Sequence, residues 1–213
     1  MIKNINFNKL LKPLLIINAA VFAVGVIMLA IFGGNTFAEY TLNNIRTSLI
    51  VKIFVFAALV VLFTTLYFFI RFKKKGLWLG LFAGAGAAIS ALVSFAFCVI
   101  CRAPLCEITL VLVLFSAIIT YITSLVFANK LNSVVIKKNT DKAELYSKLA
   151  RDTFSALLIP VILLALVAVI GFVVALIYSA SLVYLYAFPV VLSLAVSVIT
   201  AISFTCNLYF KKI

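Results

Sequence analysis

The stretch LIVKIFVFAALVVLFTTLYFFI, residues 49–70, decides the fold, together with the basic cluster RFKKK of residues 71–75 and the run LWLGLFAGAGAAISALVSFAFCVI of residues 77–100. An α-helix needs about 20 apolar residues to cross the hydrocarbon core of a bilayer, and each run has that length. A cluster of positive charge between two such runs indicates a short loop on the cytoplasmic side of a membrane. The stretch therefore predicts two transmembrane helices joined by a cytoplasmic turn.

The same pattern extends over the whole chain of 213 residues. Further apolar runs cover about 14–32, 108–128, 153–178 and 182–209, and a polar segment covers 129–151. Hydrophobic residues make up 67% of the chain and charged residues 11%, which is too few to solvate the surface of a soluble domain. We therefore expect an all-α, polytopic integral membrane protein of six transmembrane helices, forming a single transmembrane domain over residues 1–213.

The first apolar run is interpreted as a retained helix rather than a signal peptide. It is longer than the roughly 7–15 apolar residues of a signal peptide, and Phe32-Gly-Gly-Asn35 does not resemble a cleavage site.

Positive charge predicts the orientation. The net charge of +13 would suit a nucleic-acid-binding protein, but the Lys and Arg residues lie in alternate loops of the predicted topology, which leaves no basic surface for nucleic acid. All but Arg46, Lys52 and Arg102 of the 18 basic residues fall on one side. The positive-inside rule places that side, with both termini, in the cytoplasm, as expected of a multi-pass protein of the cytoplasmic membrane. Within the polar segment, Asp141 and Glu144 predict a short amphipathic helix at Lys142–Leu149 along the membrane surface.

Ionisable groups are missing from the middle of every predicted span. The chain has no His, and its five acidic residues fall in loops or at helix ends. Proton relays and ion sites in membranes usually need a buried ionisable group, so ion-coupled pumping by this chain alone is disfavoured. Zinc sites that include His and a Ser-His-Asp triad are excluded. We therefore expect no catalytic residue, no cofactor and no metal.

Small residues recur at four-residue spacing in the third predicted span, at Gly76, Gly80, Gly84 and Ala88. This spacing lets two helix backbones approach closely. It favours packing within the protein, and a docking face for a partner subunit is the alternative.

Hydroxyl groups share one face of the fourth and of the sixth predicted span. They form a polar intramembrane stripe at Ser116, Thr120, Thr123, Ser124, Ser193, Ser197 and Thr200. Such stripes usually make modest hydrogen bonds between helices, and a path for a substrate is the alternative.

Three cysteines lie near the predicted outer end of the third span, at Cys98, Cys101 and Cys106. They can form a disulfide or remain as buried thiols. A pair spaced as Cys98 and Cys101 also resembles the membrane thiol oxidases of the DsbB and vitamin-K-epoxide-reductase type. Those enzymes need a second cysteine pair, and only Cys206 remains, near the opposite face of the membrane.

Five short motifs lie at the ends of the predicted helices. They are Ile31-Phe-Gly-Gly-Asn35, Leu66-Tyr-Phe-Phe-Ile-Arg-Phe72, Arg102-Ala-Pro-Leu-Cys-Glu-Ile-Thr109, Leu125-Val-Phe-Ala-Asn-Lys-Leu131 and Leu149-Ala-Arg-Asp-Thr153. In this order they resemble the SecF family of the resistance-nodulation-division superfamily. That family has a Gly-rich end to its first helix, L-Y-x-x-x-R-F, R-x-F-D-L-T, V-V-V-F-D-R-I and S-R-T at the corresponding places.

The resemblance implies a subunit of the protein-export machinery that forms a hetero-oligomer with a SecD-like protein and the Sec channel. Asn35–Ser48 is far too short to be the extracytoplasmic domain of the family. The positions that carry the family's intramembrane Asp and its His-Asp pair correspond to about Thr123 and to Gly86-Ala87, and the Asp of F-D-R corresponds to Asn129. The resemblance thus implies a reduced, non-catalytic subunit that assists Sec-dependent export or membrane-protein insertion.

Two other functions stay open. The size, the basic charge and the six spans also suit the substrate-binding membrane subunit of an energy-coupling-factor transporter, whose helix faces of small residues dock its partner. A thiol oxidase acting through Cys98 and Cys101 is the third hypothesis.

Overall fold

The computed structural model describes residues 7–32, 43–103, 105, 107–133, 142–177 and 187–201. Its helices are α1 (Phe7–Phe32), α2 (Asn43–Ile100), α3 (Glu107–Ser133), α4 (Lys142–Ile177) and α5 (Ala187–Thr200). Apart from a short turn after α2, the described residues are helical. The prediction of an all-α fold is confirmed.

Helix α2 is a hairpin whose two arms correspond to the predicted spans 49–70 and 77–100. The chain leaves the helical conformation at Lys73, where φ is 54° and ψ is −138°. Beyond this point it runs back along itself, so that Gly80 lies against Thr65 and Phe68, and Gly84 lies against Val61. We call Val51–Lys73 the first arm and Gly76–Ile100 the second arm.

The second arm ends in a Schellman motif. Arg102 adopts a left-handed conformation with φ of 54°, and its N–H donates to the carbonyl oxygen of Val99 at 3.1 Å. The N–H of Ala103 donates to the carbonyl oxygen of Cys98 at 2.9 Å. These bonds satisfy carbonyl groups that the end of a helix leaves without intrahelical partners, and they turn the chain toward α3.

The α2 hairpin is the centre of the bundle, because it contacts α1, α3 and α5, while α3 also contacts α4 and α5. Two larger buried apolar clusters hold these helices together. One includes Phe68 and Phe127, and the other includes Ile53 and Val113. Each therefore joins the first arm of α2 to α3.

The outer surface of the bundle is also apolar, as the 72% exposed side chain of Ile70 illustrates. Three helical stretches are long and apolar enough to cross a membrane, namely both arms of α2 and Thr109–Asn132 of α3. Leu15–Ile31 and Pro189–Thr200 are shorter apolar helices. This combination of a helical bundle and an apolar exterior is that of a membrane protein.

The polar segment 129–151 differs from its prediction. Helix α3 continues to Ser133, and Lys142–Leu149 forms the first turns of α4 instead of a separate surface helix. The hydroxyl of Thr153 donates to the carbonyl oxygen of Leu149 at 2.7 Å within the continuous helix. The ammonium of Lys130 donates to the carbonyl oxygen of Asp152 at 2.5 Å and ties α3 to α4. Because the side chain of Leu149 is buried in the core, these first turns pack against the bundle.

Candidate functional site

Buried hydroxyl groups meet where the second arm of α2, α3 and α5 come together. Ser90, Ser116, Thr120 and Ser197, which we call the hydroxyl cluster, are each at most 1% exposed. The Thr120 hydroxyl oxygen lies 2.8 Å from the hydroxyl oxygen of Ser90, 3.0 Å from the carbonyl oxygen of Ser116 and 3.3 Å from that of Ser197. A hydroxyl has one proton, so Thr120 donates to one of these at a time and can accept from Ser90.

Ser197 and two hydroxyls beside the cluster donate to carbonyl oxygens of their own helices. The Ser94 hydroxyl donates to the carbonyl oxygen of Ser90 at 2.7 Å, and Thr123 donates to that of Ile119 at 2.8 Å. The Ser197 hydroxyl donates to the carbonyl oxygen of Ser193 at 2.6 Å. The protons of these three hydroxyls are therefore already used within the bundle, which limits what they could offer to a passing substrate.

Helix α1 joins this region through Asn18, which is 3% exposed. The Asn18 side-chain amide donates to the Thr200 hydroxyl oxygen of α5 at 3.1 Å. In the described part of the chain, the Asn18 carbonyl oxygen and the Ser193 hydroxyl are buried without a hydrogen-bond partner. This hydrogen bond joins the first apolar helix to the last helix that the structure describes.

All of the hydroxyl-bearing side chains predicted from the sequence are buried, but they do not form one network. Hydrogen bonds bring together Ser116, Thr120 and Ser197. The Thr123 hydroxyl donates within its own helix, and the Ser193 hydroxyl has no hydrogen-bond partner among the described residues. The sequence analysis missed Asn18, Ser90 and Ser94. An amide inside an apolar run, and serines four residues apart in the second arm, were the available signals.

The glycine face of the second arm lies against the first arm of the same hairpin. A Cβ atom built on Gly80 would come within 2.7 Å of the Phe68 Cβ atom, and one built on Gly84 would come within 2.9 Å of the Val61 Cα atom. At Gly76 the added atom would overlap the carbonyl oxygen of Phe68. Ala88, the fourth member of the series, is partly buried. At the three glycines, this face is covered by the chain itself.

The cysteines at the end of the second arm are thiols. Cys98 is fully buried and Cys101 is partly exposed in the turn that follows, with no disulfide between the two. Burial raises the pKa of the Cys101 thiol above its ordinary value, which lowers the fraction of reactive thiolate. Cys106, the third cysteine of the predicted group, lies outside the described residues.

An open groove lies between the first arm of α2 and α3. It has a volume of about 420 Å³ and is lined by Phe63, Thr64, Leu66, Tyr67, Ile70 and Tyr121. At one end, the guanidinium of Arg71 donates to the Tyr67 hydroxyl at 2.8 Å and to the Asn129 side-chain oxygen at 3.2 Å. The groove is thus apolar along its walls and positively charged at one end.

No family model matches the chain, and no curated protein and no solved structure matches it. The function is therefore argued from the residues and geometry above.

Proposed function

We propose that the chain is a six-span protein of the cytoplasmic membrane with both termini in the cytoplasm. Three stretches with the length and composition of transmembrane helices support this proposal, as do two shorter apolar helices. The one-sided distribution of Lys and Arg in the sequence supports the orientation.

Within that membrane, we propose that the protein is a non-catalytic, SecF-like subunit that assists Sec-dependent protein export or membrane-protein insertion. One observation carries this proposal: neutral, tightly packed groups stand where the resembled family has ionisable ones. Thr123 is 1% exposed and its hydroxyl is bonded to its own helix. Ala87 is fully buried in the apolar cluster that contains Ile53 and Val113. Such positions suit a rigid brace, since proton-driven movement needs an ionisable group.

The contact between Arg71 and Asn129 adds support. Arg71 belongs to the motif that resembles L-Y-x-x-x-R-F, and Asn129 stands at the Asp of the motif that resembles F-D-R. The two residues are 58 positions apart in the chain, and their side chains are hydrogen bonded at 3.2 Å. Two of the motifs that carry the resemblance therefore meet at one place in the fold.

The alternative functions have less support from the geometry. A transporter partner would dock on the glycine face, and three residues of that face are covered by the first arm of α2. A thiol oxidase needs a reactive thiolate, and burial raises the pKa of Cys101.

The direct test of the proposal is affinity purification of the tagged full-length protein from native membranes in a mild detergent. We expect a SecD-like protein or the Sec channel to co-purify, as identified by mass spectrometry. A tagged polytopic membrane protein of similar abundance serves as the control for detergent carry-over. Recovery of ATPases with a coupling subunit would replace the proposal with transport, and recovery of the chain alone would refute the subunit role.

A second experiment tests the non-catalytic character. Thr123→Ala removes the hydroxyl at the position of the family's carboxylate. If the subunit has a purely structural role, this variant should support export at the level of the unmodified protein. Gly80→Leu, which disrupts the α2 hairpin, is the control that should lose function. A large loss of export in Thr123→Ala, at normal protein abundance, would contradict a purely structural role.

A further inference from the structure

The walls of the groove between the first arm of α2 and α3 suit a hydrocarbon chain. Phe63, Leu66 and Ile70 are 62%, 51% and 72% exposed, and they share one face of the first arm at helical spacing. Tyr121 of α3 forms the opposite wall, with its ring centroid 5.8 Å from that of Tyr67. The groove volume of about 420 Å³ falls within the range of about 300–1,000 Å³ that is usual for ligand sites.

Arg71 fixes a positive charge at the end of this groove. Its guanidinium is held by the Tyr67 hydroxyl and by the Asn129 side-chain oxygen, and it lies 5.7 Å from the centroid of the Phe72 ring. Both acceptors are neutral, and they use two of the five N–H donors of the guanidinium. The side chain is exposed, so the remaining donors can reach an anion outside the protein. A guanidinium held in a fixed orientation suits two parallel hydrogen bonds to a phosphate.

We propose that the groove and Arg71 form a binding site for one anionic phospholipid. One acyl chain lies along Phe63, Leu66 and Ile70, and the headgroup phosphate accepts hydrogen bonds from the Arg71 guanidinium. Charge complementarity favours an anionic lipid over a zwitterionic one, because the exposed Lys73 at the same end repels a choline or ethanolamine group. This site does not depend on the proposed role in export.

Fluorescence quenching by brominated lipids tests the site directly. Trp78 is the single tryptophan of the chain, so Trp78→Phe with Ile70→Trp places one reporter in the groove. The protein is reconstituted into vesicles of phosphatidylcholine that contain equal fractions of either brominated phosphatidylglycerol or brominated phosphatidylcholine. We expect the reporter at position 70 to prefer phosphatidylglycerol about fivefold, the equivalent of about 1 kcal/mol for one basic residue at a membrane surface. The unmodified protein, with its reporter at the exposed Trp78 on the second arm, is the reference.

Two substitutions distinguish a specific lipid-binding site from general electrostatic attraction between basic residues and anionic lipid. In the reporter background, Arg71→Gln should reduce the preference to nearly one, whereas Lys73→Gln, which removes the same charge at the next exposed cation, should reduce it by no more than about twofold. Equal effects of the two substitutions would overturn the proposal in favour of diffuse attraction. If both lipids quench the reporter equally when Arg71 and Lys73 are intact, the groove is in contact with unselective surrounding lipid and the proposal fails. If neither lipid quenches the reporter, protein covers the groove and the proposal fails as well. If Arg71→Gln does not reconstitute, Asn129→Ala supplies the test, because it removes an acceptor that orients the guanidinium and should lower the preference about twofold.

Discussion

The close contact between the two arms of α2 makes a specific prediction about the glycines of the second arm. Gly80→Ala would place a Cβ atom 2.7 Å from the Phe68 Cβ atom and 2.9 Å from the Thr65 Cα atom. Gly84→Ala would place one 2.9 Å from the Val61 Cα atom. Carbon atoms pack at about 3.5–4.0 Å, so each added methyl group forces the arms apart by roughly 0.6–0.8 Å. Backbone atoms and a Cβ atom cannot rotate away, so the arms themselves have to move.

The expected size of the effect follows from two opposing contributions. Overpacking of a tight contact typically destabilises a protein by about 1–3 kcal/mol. Replacing Gly by Ala inside a helix stabilises the helix by about 1 kcal/mol. We therefore expect Gly80→Ala and Gly84→Ala each to lower the free energy of unfolding by about 1 kcal/mol. The two changes open the same interface, so the double variant should lose clearly less than the sum of the single losses.

Reversible unfolding in mixed detergent micelles, followed by circular dichroism, measures these differences. Gly80→Leu should lose about 3 kcal/mol, the upper end of the usual overpacking range. The matched control is Ala58→Leu, at an exposed position of the first arm, which should change the free energy by less than about 0.5 kcal/mol. If Gly80→Ala raised stability by the full propensity gain, the arms would not be in contact at Gly80. Strict additivity of the two alanine substitutions would show that Gly80 and Gly84 do not share an interface.

Three further predictions concern single contacts. Ser90→Ala and Thr120→Val in a double-mutant cycle should give a coupling energy of about 0.6 kcal/mol, as for other hydrogen bonds between membrane helices. A coupling energy of zero would show that the two hydroxyls are not hydrogen bonded. Lys73→Gly should raise the free energy of unfolding by about 1 kcal/mol, because glycine adopts the positive φ without strain. The control is Lys52→Gly on the same helix, which should lower the free energy of unfolding by about 1 kcal/mol. In a variant whose other cysteines are replaced by alanine, Cys101 should react with iodoacetamide half-maximally at a higher pH than glutathione does, because burial raises its pKa and the thiolate forms only as the pH rises. A half-maximal rate at the same or a lower pH would contradict this.

Apolar run length allowed the sequence to predict the helices, since a helix of spanning length needs little information beyond composition. The basic cluster of residues 71–75 likewise marked the turn between the arms of α2. The residue that bends the chain is Lys73, however, and not the nearby Gly76, to which local propensity would assign a positive φ. Gly76 is instead required where the second arm passes the carbonyl oxygen of Phe68. A glycine can either supply a positive φ at a turn or allow two helices to approach closely. Which of the two applies depends on tertiary contacts that are not visible in the sequence.

The polar features were harder to predict because their partners are distant in the chain. Spacing placed the α3 hydroxyls on one face, but not against Ser90, which is 30 positions before Thr120. Asn18 and Thr200 are 182 positions apart, so no local pattern could pair them. The predicted helix at Lys142–Leu149 is helical, but its continuity with α4 was missed for a related reason. Charge in its sequence indicated a surface position, while burial of Leu149 and continuity with α4 depend on how the helices pack.

The hydroxyl cluster also bears on how the bundle could take part in export. A group makes stability depend on pH only if it binds protons differently in the folded and unfolded states. Serine, threonine and asparagine side chains do not change charge between about pH 5 and 8. The contacts of Ser90, Thr120 and Asn18 are therefore the same across that range. A proton-driven machine needs core contacts that change on protonation, so in the proposed complex this chain would stay fixed, and the movement would belong to a partner that has its own carboxylates.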